Sequence, residues 1–186
     1  SFRLGGSRQL PVLSIQTNQD LLLQGNRRPG VLPLCLNTTD HQPVVRGEEI
    51  KPGSLHGFHA GLSDAFFQLP AGAHIQAALV SQTRFEQLAT ATGDHQTLEV
   101  IHRANSANIL TERYEEISAL IQAQLMGAGQ DDLVEVAALE ALSPHQLQET
   151  ASGELGVGTG LMKDLVAWGF ENTGQAITLN DLCATI

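Results

Sequence analysis

The chain is poor in cysteine, in aromatic residues and in positive charge, and each shortage removes a class of protein. Two cysteines in 186 residues, Cys35 and Cys183, stand far apart and in neither a CxxC nor a metal-ligand spacing. That excludes a disulfide scaffold and a zinc module. Ten Lys/Arg face twenty Asp/Glu, a net charge of −10. A DNA-binding surface needs clustered Lys and Arg to replace counterions on phosphate, and the sequence holds no such cluster. No apolar run approaches the roughly 18 residues of a membrane span. Arg3 and Arg8 are not followed by the apolar stretch of a secretory signal. The expectation is a reduced, cytoplasmic protein with no membrane partner.

What is present suits a folded domain. Apolar residues make up 42% and charged residues 16%, the balance of a globular chain. The length allows a buried core without metals or disulfides. Charge is unevenly placed. Residues 1–51 hold six Lys/Arg against four Asp/Glu, or +2, and residues 52–186 hold four against sixteen, or −12.

Short apolar runs fill the first eighty residues: "LPVLSIQ" (10–16), "DLLLQG" (20–25), "VLPLCLN" (31–37), "QPVVRGEEIK" (42–51), "SLHGFH" (54–59), "SDAFFQL" (63–69) and "HIQAALVS" (74–81). Turn-forming stretches such as "GNRRPG", "KPG" and "PAGA" separate them. Strands at this spacing predict an antiparallel barrel or sandwich, with no room for crossover helices.

The pattern then changes to helices. Thr83 and Glu86 have capping-box spacing, which predicts a short helix to about Ala91. In "NILTERYEEISALIQAQLMGAG", Leu110, Tyr114, Ile117, Ile121 and Leu125 recur at steps of three and four. That stripe predicts a helix over 107–127, with Glu112, Glu115 and Glu116 toward solvent. Helices are also expected over 131–142, from Ser143 onward through "SPHQLQET", and over 161–172. "QAITLNDLCATI" carries another helix start, with Thr178 at the cap and Asp181 three residues on. The fold class is therefore α+β. We divide it into a β-rich domain (1–100), a helical segment (101–152), a Gly-rich linker (153–160) and a last helical piece (161–186).

No catalytic constellation stands out, and no catalytic residue is assigned. His56 and His59 with His74 suggest a metal. However, residues three apart on a strand point to opposite faces, so partly buried or turn histidines are the simpler reading and no metal is assigned. "GVGTG" follows a helix rather than a buried strand, and so fails as a phosphate loop. Cys35 sits in an apolar strand and reads as a structural thiol. A single carboxylate, Asp64, makes no acid–base pair. The residues favour a binding module that needs no cofactor. A metal-dependent enzyme with an appended helical domain is the alternative.

The last part of the chain, "LMKDLVAWGFENTGQAITLNDLCATI", resembles the opening of the DNA-binding domain of AraC/XylS-type transcription regulators. The matching slots are Ile177, Thr178, Leu179, Asn180, Asp181, Leu182 and Cys183. "GVLPLCLNTTDHQPVVRGEEIKPGSLHGFHAG" resembles the cupin-like sensor half of that family, through Gly47, Ile50, Pro52, Gly53 and Leu55. The resemblance implies a cytoplasmic regulator whose β-rich domain takes a small-molecule effector and whose helical segment makes a homodimer. It implies that Thr178, Leu179, Asp181 and Leu182 begin a helix-turn-helix that stops short, so that DNA contact belongs to a missing C-terminal part. His56, Phe58, Phe66 and Gln68 are the candidate effector contacts. Leu110, Tyr114, Ile117 and Ile121 are the candidate dimer contacts.

Overall fold

Both parities of "VLPLCLN" and "HIQAALVS" are largely apolar, and a strand of that kind must be covered on both faces. The computed structural model, which describes residues 1–143 and 146–149, meets that demand with three layers. The expectations for 153–160, 161–186 and the Thr178–Leu182 segment lie outside the described residues. The β-rich part runs β1 (Phe2–Gly6), β2 (Pro11–Gln16), β3 (Leu21–Asn26), β4 (Val31–Asn37), β5 (Val44–Val45), β6 (Glu48–Glu49), β7 (Ser54–His56), β8 (Asp64–Leu69) and β9 (His74–Ser81). Then follow α1 (Gln82–Thr92), α2 (His95–Arg103), β10 (Ser106–Ile109), α3 (Thr111–Leu125), α4 (Asp131–Leu142) and β11 (Leu147–Glu149).

The strands form two antiparallel sheets. One has seven strands in the order β1-β2-β9-β4-β7-β10-β11, and the other has four in the order β3-β8-β5-β6. They make a sandwich, with no closed barrel among the described residues. On one face of the large sheet, Val12, Leu34, Leu36, Ala78 and Val80 meet Phe85, Ile101, Ile117, Ile121 and Ala138 of the helices. On its other face, Leu13, Ile15, Cys35, Ile75 and Ala77 meet Leu21, Leu23, Phe67 and Leu69 of the small sheet. Register keeps the parities together: Leu13 and Cys35 both pair with Ala77, while Val12 and Leu34 both pair with Ala78.

The helical layer is tied by packing and by charge. Helix α4 is buried on most sides, through Val134, Ala137, Ala138, Leu139, Ala141 and Leu142. Arg84 of α1 pairs with Asp132 and with the buried Glu135. Arg113 of α3 bridges to Glu140 at 2.9 Å.

Several expectations change. The 107–127 helix starts only at Thr111, because Ser106, Ala107 and Asn108 pair with β7. Its apolar stripe turns into the subunit's own core: Ile117 and Ile121 are fully buried, and the Tyr114 hydroxyl donates to the Asn37 carbonyl. Leu110, half-buried, occupies the N-cap position. The outward side carries Glu112, Glu115 and Glu116, as the spacing predicts. No helix forms over Leu147–Glu149; those residues pair with β10 as an edge strand. An open sheet edge offers hydrogen bonds at once, whereas a helix of this length starts from a costly nucleus. The cap of α1 is Ser81 rather than Thr83. Helix α2, absent from the sequence reading, is capped by Asp94, whose side chain accepts from the Thr97 N–H at 3.1 Å.

Gly5 shows how closely α3 lies on the sheet edge. A Cβ added there would sit 2.9 Å from Leu125 Cα and 3.2 Å from the Gln124 carbonyl, both backbone atoms. Gly5→Ala therefore forces β1 and α3 apart, and overpacking of this kind costs about 1–3 kcal/mol. Urea unfolding should show a lower midpoint with an unchanged slope.

A polar-rimmed cavity between the two sheets

The face of the large sheet that looks away from the helices does not close fully on the small sheet. A cavity of about 210 Å³ remains between them. Leu13, Ile15, Pro33, Cys35, Ile75, Ala77 and Leu79 form its floor, and Leu23, Val45, Phe67 and Leu69 form much of its roof. These share one parity on each strand, as alternation requires, and β8 adds Asp64 and Phe66 from its other parity near the start of the strand. Gly57, at φ +90°, completes the wall where a Cβ would lie 3.1 Å from the Pro33 carbonyl and 3.3 Å from Cys35 Sγ.

Four polar side chains line this apolar space: Arg27, Arg46, Asp64 and Asn105. Arg27 directly follows β3. Its Nη1 donates to the His59 carbonyl at 2.9 Å and its Nη2 to the Val31 carbonyl at 3.2 Å. Two backbone carbonyls thus fix the end of the guanidinium, and Nε is left buried with no hydrogen-bond partner among the described residues. Burial pulls the Arg27 pKa below its ordinary value, against smaller upward pulls from Cys35 and Asp64.

Arg46 arrives by a different route. Val45 pairs with Glu48, so Arg46 and Gly47 alone connect β5 to β6. Both have positive φ, 53° and 85°, as a two-residue type I′ hairpin requires. Glycine adopts that conformation freely, whereas arginine is strained in it. The strained position sets Arg46 beside Asp64, with Nη1 to Oδ1 at 2.7 Å. Its Nε is likewise buried and has no partner among the described residues.

His56 lies beside the cavity rather than in its lining. It pairs with Cys35 in register and so shares the face turned toward the small sheet. Its ring meets that of Phe67 at a centroid distance of 6.2 Å. The side chain is completely buried, and neither ring nitrogen has a hydrogen-bond partner of good geometry among the described residues. Burial pushes its pKa down to about 4, against a smaller upward pull from the Ser54 backbone. Burial also pushes the Cys35 thiol up to about 12, which makes it a poor nucleophile.

Of the effector contacts expected from sequence, Phe66 lines the cavity and His56 adjoins it. Phe58 is fully buried in the other core, against the helices. Gln68 is exposed and lies outside the lining. Of the three histidines considered for a metal, His56 packs on Phe67 and the other two make separate hydrogen bonds. His59 Nδ1 accepts from the Gly61 N–H at 2.9 Å, and His74 bonds Ser14 at 2.8 Å and Thr38 at 2.7 Å. Sequence reasoning missed Arg27 and Arg46. The "RG" between two apolar pairs is the one local sign of the second, and "GNRRPG" does not distinguish Arg27 from Arg28.

No protein-family model and no curated protein sequence matches the chain. Among solved structures it is similar to the AraC-like transcriptional activator CuxR, at 11% identity and a TM-score of 0.48, with 97% of this chain and 68% of that chain covered. It is also similar to ToxT from Vibrio cholerae, at 10% identity and a TM-score of 0.44, with 99% and 70% covered.

His56 gives the fold an acid sensitivity of definite sign. Its folded pKa is below the unfolded value of 6.5, so the unfolded chain binds the extra proton first. Stability should fall as pH drops through 6.5 and level off near 4, by an amount on the order of 3 kcal/mol. His56→Leu should flatten much of that slope in urea titrations and cost little at neutral pH, because it also removes two unsatisfied polar atoms.

Proposed function

We propose that this chain is the effector-sensing and dimerisation part of a bacterial transcription regulator that works in the cytoplasm. The observation that carries the reading is the cavity: an apolar space between two sheets with a few buried polar groups, the usual form of a small-molecule site. The order of sequence motifs resembling AraC/XylS-type regulators supplies the regulatory context. DNA contact would fall to the helix-turn-helix region that Thr178, Leu179, Asp181 and Leu182 resemble. Among the described residues no helix is long and apolar enough to cross a membrane.

The layered geometry supports a mechanism by population shift. The cavity lies on one face of the large sheet and the helices on the other. An effector that binds one arrangement of these layers more tightly biases how the helical side is presented. The residues lining the cavity also favour binding over catalysis. Their carboxylate is paired with a guanidinium and their thiol is buried and protonated, so no nucleophile–base pair is formed.

Two copies would meet through the helical layer. The Ile117–Ile121 stripe is spent inside the subunit, so we assign the contact to the exposed apolar residues Leu133 and Val136 of α4. Sedimentation velocity should show a dimer for the natural chain and a folded monomer for the Leu133→Glu, Val136→Glu double variant. A monomeric natural chain would remove the dimer from the proposal. Chromatin immunoprecipitation of the natural gene product should enrich discrete promoters, and uniform background would overturn the regulatory reading.

A further inference from the structure

We infer that the ligand of the inter-sheet cavity is a compact apolar monocarboxylic acid, received by the Nε sides of Arg27 and Arg46. The inference rests on the cavity being a ligand site and adds the charge, shape and size of the ligand.

Charge comes first. Two guanidiniums and one carboxylate line the cavity. Arg46 pairs with Asp64, and Asp64 also attracts Arg27, so the three groups together keep one net positive charge. The two hydrogen bonds of Arg27 go to carbonyls, which accept without cancelling that charge. A desolvated net charge is costly. A ligand with one negative charge relieves that cost, and a dianion would reverse it.

Shape follows from the unused donors. Nε of Arg27 and Nε of Arg46 are buried and lack partners among the described residues. The outer fork of Arg27 is held by backbone, and Nη1 of Arg46 by Asp64. What remains is one inner N–H on each guanidinium. A planar carboxylate with two oxygens matches two such donors and gains charge-assisted hydrogen bonds from both.

Size sets the third limit. A dry apolar cavity of about 150 Å³ holds benzene. The space of about 210 Å³ found here therefore suits roughly eight non-hydrogen atoms on the same scale. The floor and roof are aliphatic and aromatic, so the body of the acid is hydrocarbon.

Isothermal titration of the whole chain with hexanoate, hexanamide and 1-hexanol tests the inference, because the three share one skeleton of the right size and differ in the head group. The acid should bind at least about tenfold more tightly than the amide or the alcohol, since a site built around charged donors rejects analogues that cannot answer them. Arg27→Gln should erase that preference while the alcohol still binds. Arg46→Asn should weaken the acid as well, and asparagine suits the left-handed turn, so the hairpin is kept. Ala77→Leu should abolish binding of all three by filling the cavity, and hexadecanoate should fail to enter the natural chain. Equal binding of acid, amide and alcohol would overturn the carboxylate assignment and leave the cavity a ligand site. Loss of selectivity in neither arginine variant would do the same. No binding by any of the three would overturn the reading of the cavity itself, and this inference with it.

Discussion

A sheet with no wet face governs this structure. Strand β4 is apolar at odd and even positions alike, and β2 and β9 place apolar residues at both, so each face of the central sheet must find a cover. The helices supply one cover and the four-stranded sheet the other. The two covers are not equivalent. Helices α1 to α4 follow β9 in the chain and bury Ile117, Ile121, Leu139 and Leu142 almost completely. The small sheet has two-residue strands at one edge and covers less thoroughly. The space it leaves is the cavity. Where the fold is weakest as packing, it has room for something else.

The same imbalance explains where the charge goes. The helical side of the central sheet is dry and its ion pairs, Arg84–Glu135 and Arg113–Glu140, join helix to helix. The small-sheet side admits Arg27, Arg46 and Asp64 to an apolar chamber. Arg46 reaches it from a turn conformation that costs an arginine energy. Arg27 reaches it by giving its outer donors to two backbone carbonyls. In both cases local structure bears a cost in order to hold a cation where water is scarce.

How much of this could be read from sequence varies with the range of the forces involved. Period-two runs located β2, β4, β8 and β9 to within a residue, and the Ala- and Leu-rich run 131–142 is a helix with those bounds. Signals fail where a neighbour decides the outcome. "FRLGG" has two glycines and little apolar character, and becomes β1 because α3 lies close beside it. "SANI" reads as the start of a helix and becomes β10 because β7 offers an edge. The run 42–51 breaks at Arg46–Gly47, a turn pair less familiar than Asn-Gly. The site was legible only in part. Phe66 was found, but it shares its parity with the exposed Gln68 while Phe67 of the other parity also lines the cavity, so alternation along β8 does not say which residues face in. The two arginines depend on partners 4 to 32 residues away, and no local window contains that information.

Strand β9 presents Ala77 to the cavity and Ala78 to the helices. Between the two compartments there is one peptide's thickness of backbone, bare of long side chains at that point. Such a septum separates two kinds of change. Substitutions at the odd positions of β9 alter the shape of the cavity, while the side chains at even positions still hold the helices. The two compartments can therefore be altered one at a time along a single strand.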